Sequence, residues 1–296
     1  MTRRIAIRAS LLALGAFGLF AALTVYFSSE KIPPCLVSGV PKWKAPTDKA
    51  QHRFEVVVPD RALCFFDMDN DHALVGALAL PGIRGISAIA PRAGGTLALR
   101  YDGARGAVVD LETGRVRLGT KPPPPAADEI DVPDVRAEAV YSTYPNRFGF
   151  RVYKVRAFRV RFVTFPGYTW NPRFGPNPPN HGLSLAPDRR ELWVLDAPNS
   201  VLHLFDVGGT WPKRITDIRL TKPLSGDENP CATGRCGRIG SLQHSSDGRF
   251  VYVGDAGDVI DAKKREEIAN LEPLHQSRLT VEVDWYGGKP AFAGSR

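Results

Sequence analysis

The sequence predicts an all-β protein, a β-propeller of about six four-stranded blades within a range of five to seven, preceded by one transmembrane segment. Three observations predict this: a strand–turn–strand unit that recurs, a regular spacing between its copies, and an uncharged run near the N-terminus. The 296 residues are 43% hydrophobic, and 28 glycines and 25 prolines favour many short strands joined by turns. This composition excludes a disordered chain.

The repeating unit is clearest in "HGLSLAPDRRELWVLDAPNSVLHLFDV", which contains a strand, a Pro-Asp turn, a second strand, a polar turn and a third strand ending at Asp206. The segment "GSLQHSSDGRFVYVGDAGDVIDA" repeats this order and ends at Asp261. Upstream, "ISAIAPRAGGTLALRYDGARGAVVDLETG" gives a copy ending at Asp110, and "RALCFFDMDN" supplies one ending at Asp67. Stacked repeats of this kind bury each sheet against its neighbours.

The intervals between the terminal aspartates predict the number of blades. Asp67 and Asp110 are 43 residues apart, Asp110 and Asp206 are 96 apart, and Asp206 and Asp261 are 55 apart. Since a four-stranded blade takes about 40–50 residues, these intervals correspond to one blade, two blades, and one blade with an insertion. A β-sandwich, the alternative fold, does not explain the 43-residue interval.

The remaining segments complete this scheme. Residues 148–165 alternate as strands do and predict part of a degenerate blade in the doubled interval. The Pro-rich segment 120–135 predicts a long loop between blades, with recognition by a proline-directed partner as the alternative. A C-terminal hairpin in "SRLTVEVDWYGGKPAFAG" is expected to pair with the strand at residues 54–59 and so close the ring.

The N-terminus predicts a membrane anchor. The nineteen residues from Ala9 to Phe27 carry no charge, enough to cross a bilayer as a helix. Because Arg3, Arg4 and Arg8 precede them, residues 1–8 should stay cytoplasmic, while a linker (28–52) and the propeller domain (53–296) lie outside the membrane. A cleaved signal peptide is the alternative.

Four cysteines fit an exported chain. Cys231 and Cys236, in the insertion 221–240, are candidates for a disulfide, with a metal site or free thiols as the alternatives. Cys35 and Cys64 would pair only if the fold brings them together.

The two clearest repeats, "LSLAPDRRELWVLDAPNSVLHLFDV" and "LQHSSDGRFVYVGDAGDVIDA", resemble the YncE-like or YVTN-type β-propeller family of exported bacterial proteins. The resemblance implies an extracytoplasmic propeller used for binding and implies no shared reaction. Such proteins usually have seven blades. Relatives with related repeats include lactonases and quinoprotein dehydrogenases, whose sites lie at the mouths of the central channel.

Three candidate ligand-binding residues, His181, Gln243 and His244, lie on strands expected to line this channel. A fourth candidate, Asp255, follows the next strand and is expected to converge on one mouth of the channel. His181 is also the candidate catalytic base; alternatively it forms a hydrogen bond between adjacent blades. Four aspartates are interpreted as turn formers, whose side chains accept backbone N–H groups, in preference to ligands: Asp188, Asp247, Asp255 and Asp258. The terminal aspartates recur in every copy, which favours a role within the blade.

A basic run interleaved with Phe and Val has two interpretations: Arg151, Lys154, Arg156, Arg159 and Arg161. It would bind an anionic polymer or lipid headgroups, or it is the solvated face of an edge strand, where basic side chains discourage aggregation; we favour the edge strand. The net charge of +8 falls partly on the N-terminal arginines, so no nucleic acid partner is expected.

Two functions follow from these features. The favoured one is a membrane-anchored binding or interaction module whose partner is an unidentified small molecule or protein. The alternative is an exported lactonase-like hydrolase or a quinoprotein-like enzyme, with His181 and a divalent metal at the channel mouth. No cofactor is assigned, because the sequence contains no recognisable catalytic or phosphate-binding motif.

Overall fold

The apolar, alternating segments of the sequence form twenty-one β-strands in the part of the chain that a computed structural model describes. That part comprises residues 33–124, 131–134, 137–171, 179–224 and 239–292. It also contains two short 3₁₀ turns, Pro34–Leu36 and Glu272–Gln276.

The strands form five antiparallel sheets, which we number along the chain. Sheet 1 contains β1 (His52–Val57), β2 (Ala62–Asp67), β3 (Ala73–Ala79), β20 (Thr280–Tyr286) and β21 (Lys289–Phe292). Sheet 2 contains β4 (Ala88–Arg92), β5 (Thr96–Tyr101), β6 (Arg105–Asp110) and β7 (Val116–Leu118). Sheet 3 contains β8 (Asp131–Asp134), β9 (Ala139–Tyr144), β10 (Arg147–Lys154) and β11 (Arg159–Val163). Sheet 4 contains β12 (Leu183–Leu185), β13 (Glu191–Asp196), β14 (Val201–Asp206) and β15 (Lys213–Arg219). Sheet 5 contains β16 (Ser241–His244), β17 (Phe250–Gly254), β18 (Asp258–Asp261) and β19 (Glu266–Asn270).

The C-terminal hairpin pairs with the N-terminal strand, as the sequence predicts. In the antiparallel register of β1 and β20, Phe54 lies opposite Val283 and Glu55 lies opposite Glu282. This pairing corrects the expected number of sheets from about six to five in the described residues, the lower limit of the predicted range. The closing hairpin completes sheet 1 and does not add a sheet of its own.

The arrangement of the sheets is consistent with a five-bladed β-propeller. Strands of neighbouring sheets lie against one another: β4 beside β20, β8 beside β12, and β12 beside β16. Four buried apolar clusters join sheet 1 to sheet 2, sheet 1 to sheet 5, sheet 4 to sheet 5, and sheet 3 to sheet 4. None of these four clusters joins sheets 2 and 3, the pair between which the Pro-rich segment runs.

The terminal aspartates of the repeat close equivalent turns. Each ends the strand next to an edge strand of its sheet and accepts a backbone N–H two or three residues later: Asp67 from Asp69, Asp110 from Thr113, Asp206 from Gly208, and Asp261 from Lys263 and Lys264. This bond holds the chain as it reverses into the edge strand. The repeated aspartate therefore serves the sheet itself.

The segment assigned to a linker contains a packed strap. Residues 33–51 run along sheet 1, where Trp43 is buried and its indole N–H donates to Leu111 O at 2.9 Å. A disulfide joins Cys35 to Cys64 on β2, so the fold does bring this pair together. The other candidate pair, Cys231 and Cys236, lies outside the described residues.

Two further sequence features are only partly described. The loop expected at 120–135 includes β8, whose Pro133 lies on an edge strand where a missing N–H is tolerated. In the described ranges, no helix is long and apolar enough to cross a membrane. The candidate anchor at residues 9–27 lies outside those ranges.

Candidate functional site

His181 and Asp255, two of the predicted site residues, contact the same residue, Gly240, through its two flanking peptide groups. The Nδ1–H of His181 donates to Gly240 O at 2.8 Å, and the Gly240 N–H donates to Asp255 Oδ2 at 3.1 Å. Arg278 Nε lies 3.8 Å from the same carboxylate oxygen. His181 and Asp255 are both buried, so this group links sheets 4 and 5 where their first strands begin.

His244 lies apart from this group, at the other end of β16. Its Nδ1 shares a hydrogen bond of 2.7 Å with Ser184 Oγ on β12, and its ring meets Trp193 edge-on at 5.6 Å. Burial lowers the pKa of His244 to about 4, so the imidazole is neutral at neutral pH. Its buried Nε2 has no hydrogen-bond partner in the described ranges.

Gln243, the fourth predicted residue, faces the opposite side of β16 from His244 and accepts a hydrogen bond of 2.9 Å from Thr280 Oγ1 on β20. The four candidates therefore separate into different contacts and do not form one constellation. The hydrogen bonds of His181, His244 and Gln243 each join two sheets, whereas the Asp255 bond to Gly240 lies within sheet 5. For His181 this is the hydrogen bond between adjacent blades that the sequence left as an alternative to a ligand.

Of the four aspartates for which the sequence suggests turn formation, two form turns. Asp188 and Asp247 accept backbone N–H groups two residues later, at 2.9 Å each. Asp255 instead binds the distant Gly240 N–H, and Asp258 accepts the Thr221 N–H at 3.0 Å. Both of these aspartates therefore connect separate segments.

A charged cluster in sheet 4 was not predicted from the sequence. The buried His203 has Asp217 Oδ1 at 2.8 Å from Nδ1 and Asp196 Oδ2 at 3.1 Å from Nε2, and the Tyr168 hydroxyl donates to Asp217. Burial raises the pKa of Asp217, but hydrogen bonds from Arg214, His203 and Tyr168 outweigh this effect and hold it at about 2. Phe165 stacks on the imidazole at 4.1 Å, so the cluster braces the preceding loop against sheet 4.

A cavity of about 270 Å³ lies between sheets 1 and 5, beneath the strap. Its apolar walls include Pro34, Phe66 and Leu271, while Asp71 and Glu272 supply exposed carboxylates at its edge. The Cys35–Cys64 disulfide fixes the strap as one wall. A larger cavity of about 490 Å³ on the other side of the strap has one ionisable side chain in its lining, Lys42.

His72 is the distinctive side chain of the smaller cavity. It is 4% exposed, its Nε2 lies 3.0 Å from the Tyr252 hydroxyl, and its buried Nδ1 has no partner among the described residues. Burial, with a smaller contribution from Arg249, lowers the pKa of His72 to about 4. The ring is therefore neutral at neutral pH, and its Nδ1 is a buried donor or acceptor without a hydrogen-bond partner among the described residues.

The backbone at this cavity is strained. Asp71 and His72 have φ values of 48° and 54°, two consecutive left-handed residues neither of which is glycine. Such conformations cost about 1–3 kcal/mol each and are found preferentially at functional sites. The turn thus holds His72 against the cavity at an energetic cost to the fold.

Behind Tyr252 lies a buried acidic pair on neighbouring strands. Burial, with a smaller contribution from the adjacent Glu282, raises the pKa of Glu55 to about 8. Glu282 is ionically paired with Arg53 at 3.2 Å and accepts the Ser246 N–H at 2.6 Å. Burial also raises the pKa of Tyr252 well above its ordinary value, so its hydroxyl remains protonated beside His72.

These contacts define what the cavity would accept. A neutral imidazole and a phenol lie behind apolar walls, with carboxylates at the edge, a combination suited to a small ligand with an apolar body and a polar or cationic group. Within the described ranges, no cluster of three or more His, Cys, Asp and Glu side chains is arranged to hold a metal ion. In the sequence, His72 is marked only by its position in the polar turn that follows the strand ending at Asp67.

The chain matches no protein-family model and no curated protein sequence. Among solved structures it is similar to hydrazine synthase of Kuenenia stuttgartiensis, with 15% identity over 64% of this chain and a TM-score of 0.34. It covers 49% of that chain, about half its length. It is also similar to a protein from Lactobacillus plantarum, with 15% identity over 75% of this chain and 66% of the other, and a TM-score of 0.33.

Proposed function

We propose that the chain is a membrane-anchored, extracytoplasmic propeller of five blades that acts as a binding module for a small molecule. The five sheets and the pairing of β1 with β20 support the propeller. The uncharged run from Ala9 to Phe27, preceded by three arginines, supports the anchor and the outside location of the folded part. The resemblance of the repeats to the YncE-like family supports a role in binding.

The observation that carries the binding proposal is the combination found at His72. A buried imidazole nitrogen with no partner is costly in a folded protein, because the lost hydrogen bond to water is not replaced. Here that nitrogen belongs to a side chain which lines a cavity and which a strained turn holds in place. A ligand that hydrogen-bonds this imidazole would offset the cost.

The carboxylates at the cavity edge select the charge of the ligand. Asp71 and Glu272 are exposed there, and the cavity's lining includes no lysine or arginine. A cationic amine would therefore be favoured over a carboxylate on the same apolar body. The ligand class is a small amine with an aromatic or aliphatic body.

Three matched probes test this proposal by thermal shift of the full chain: benzylamine, benzyl alcohol and benzoate. A ligand at about 100 times its dissociation constant adds about 2.7 kcal/mol to the free energy of unfolding, which is readily measured. We expect benzylamine to shift the melting temperature most and benzoate least. The shift should vanish in His72→Asn, because asparagine tolerates the left-handed backbone but places its polar group differently.

The control is His52→Asn, a histidine outside the cavity on β1, which should leave the shift unchanged. Replacing both edge carboxylates, Asp71→Asn with Glu272→Gln, should weaken benzylamine and leave benzyl alcohol unaffected. An equal shift in the parent and in His72→Asn, or no shift with any of the three probes, would contradict binding at this cavity.

A further inference from the structure

The turn between β10 and β11 exposes apolar and basic side chains together. Phe158 is 83% exposed, Val160 is 59% exposed and Val155 is 43% exposed. The hairpin from residue 147 to residue 163 contains six basic residues and no acidic one. We call residues 154–161 the hairpin tip.

Phe158 is unfavourable for the fold in two ways. Its φ is 49°, a left-handed conformation in which glycine or asparagine would cost less than a bulky side chain. Its ring is almost fully in water, so it gains nothing from burial. A residue that opposes both local backbone preference and solubility indicates a role outside the packed molecule.

Protection of the sheet edge explains only part of this pattern. β11 is an edge strand of sheet 3, and Arg159 and Arg161 on it discourage pairing with another sheet, as the sequence suggests. Exposed Phe158 and Val160 have the opposite effect, because clustered apolar side chains promote association. The apolar members of the tip therefore need a different explanation.

The positive charge of the tip is largely uncompensated. Arg156 pairs with Glu138 at 2.5 Å. Within the described part of the chain, neither Lys154 nor Arg159 has a carboxylate partner. An aromatic ring at the apex with basic side chains on both sides complements an anionic membrane surface, where rings enter the headgroup region and cations bind the headgroups.

We propose that the hairpin tip contacts a bilayer that contains anionic lipid, with Phe158, Val155 and Val160 entering the headgroup region and Lys154 and Arg159 binding the headgroups. This contact goes beyond the proposed binding function and depends neither on the cavity at His72 nor on the N-terminal segment.

Site-directed photo-cross-linking in the full chain tests the contact. Benzoylphenylalanine replaces Phe158 in one variant and Leu118 in the matched control, and each is reconstituted in phosphatidylcholine vesicles with or without phosphatidylglycerol. Leu118 is also exposed, at 54%, but it ends the fourth strand of sheet 2, whereas Phe158 precedes the fourth strand of sheet 3. The two positions therefore lie at opposite ends of their sheets.

We expect lipid adducts from position 158, few from position 118, and a yield that falls about tenfold when phosphatidylglycerol is omitted or when Lys154→Gln and Arg159→Gln are combined. The melting temperature of Phe158→Gly should equal or exceed that of the parent, because glycine relieves the left-handed strain. Equal lipid adducts at both positions, or adducts from position 158 to protein alone, would overturn the inference.

Alkaline carbonate extraction of the same vesicles separates this contact from the proposed anchor. If the chain resists extraction and forms no lipid adduct at position 158, the result would support the proposed anchor and contradict the tip contact. A chain that carbonate removes, but that forms the adduct beforehand, would keep the tip contact and overturn the anchor.

Discussion

Glu55 lies on β1 with its side chain fully buried between sheets 1 and 5. Burial raises its pKa from 4.5 to about 8, and the opposing Glu282 acts in the same direction. The folded state therefore holds a proton that the unfolded chain releases at lower pH. Stability contributed by this proton is complete below about pH 4.5 and is lost as the pH rises towards 8.

We predict that Glu55→Gln removes this pH dependence, because the amide is neutral at every pH. Relative to the parent, the variant should gain up to about 1.4 kcal/mol in unfolding free energy for each pH unit between about 5 and 8. Urea unfolding at several pH values measures the difference. Glu112→Gln, in an exposed turn, is the control, and a parallel pH dependence in parent and Glu55→Gln would contradict the prediction.

At the scale of elements, one aspartate holds the turn into the edge strand in four of the five sheets. Asp206 is exposed and bonds the Gly208 N–H at 2.8 Å, so its contribution is local to the turn. In sheet 3, whose sequence departs from the repeat, the third strand ends at Lys154 instead. The turn that follows is the hairpin tip with its left-handed Phe158.

We predict that Asp206→Ala lowers the free energy of unfolding by about 1 kcal/mol, the net contribution of one such hydrogen bond. Asp206→Asn should change it by less than about 0.5 kcal/mol, since the amide oxygen accepts the same N–H. Equilibrium denaturation of the two variants side by side measures this. Equal losses for alanine and asparagine would show that charge, and not the hydrogen bond, stabilises the turn.

At the scale of the whole molecule, ring closure depends on β20. Trp285 on this strand is fully buried, lies 6.0 Å from Trp43 of the strap, and donates its indole N–H to Pro46 O at 3.1 Å. The strand also pairs with β1 along its length. Trp285 therefore joins the closing strand of sheet 1 to the N-terminal strap.

We predict that Trp285→Ala destabilises the protein by about 3–5 kcal/mol, because it leaves a large cavity where three segments meet. Its neighbour Tyr286 is 71% exposed, and Tyr286→Ala should cost less than about 0.5 kcal/mol. Calorimetry would register the first change as a large fall in melting temperature. Similar melting temperatures for the two variants would mean that closure does not limit stability.

The sequence by itself determined the repeating unit, the positions of its strands and the pairing of both chain ends in one sheet. The repeating unit and the strand positions are local, since strand alternation and turn residues are set by neighbours in the chain, whereas the pairing of β1 with β20 follows from the need to close a ring of repeats. The terminal aspartates and the segment 148–165, which forms β10 and β11, followed from the same patterns. The expected count of about six was one too high, because the closing hairpin was counted as a separate blade although it pairs with β1 in sheet 1.

Only the tertiary structure decided which side chains meet. His181 and Asp255 converge on Gly240, while His244 and Gln243 face different sheets, because partners on separate repeats depend on the register and packing between sheets. His72 could not be singled out, since its burial, its shifted pKa and its unpartnered nitrogen arise where the strap and sheets 1 and 5 come together. Residues far apart in sequence acquire their chemistry from this shared burial, which no local pattern encodes.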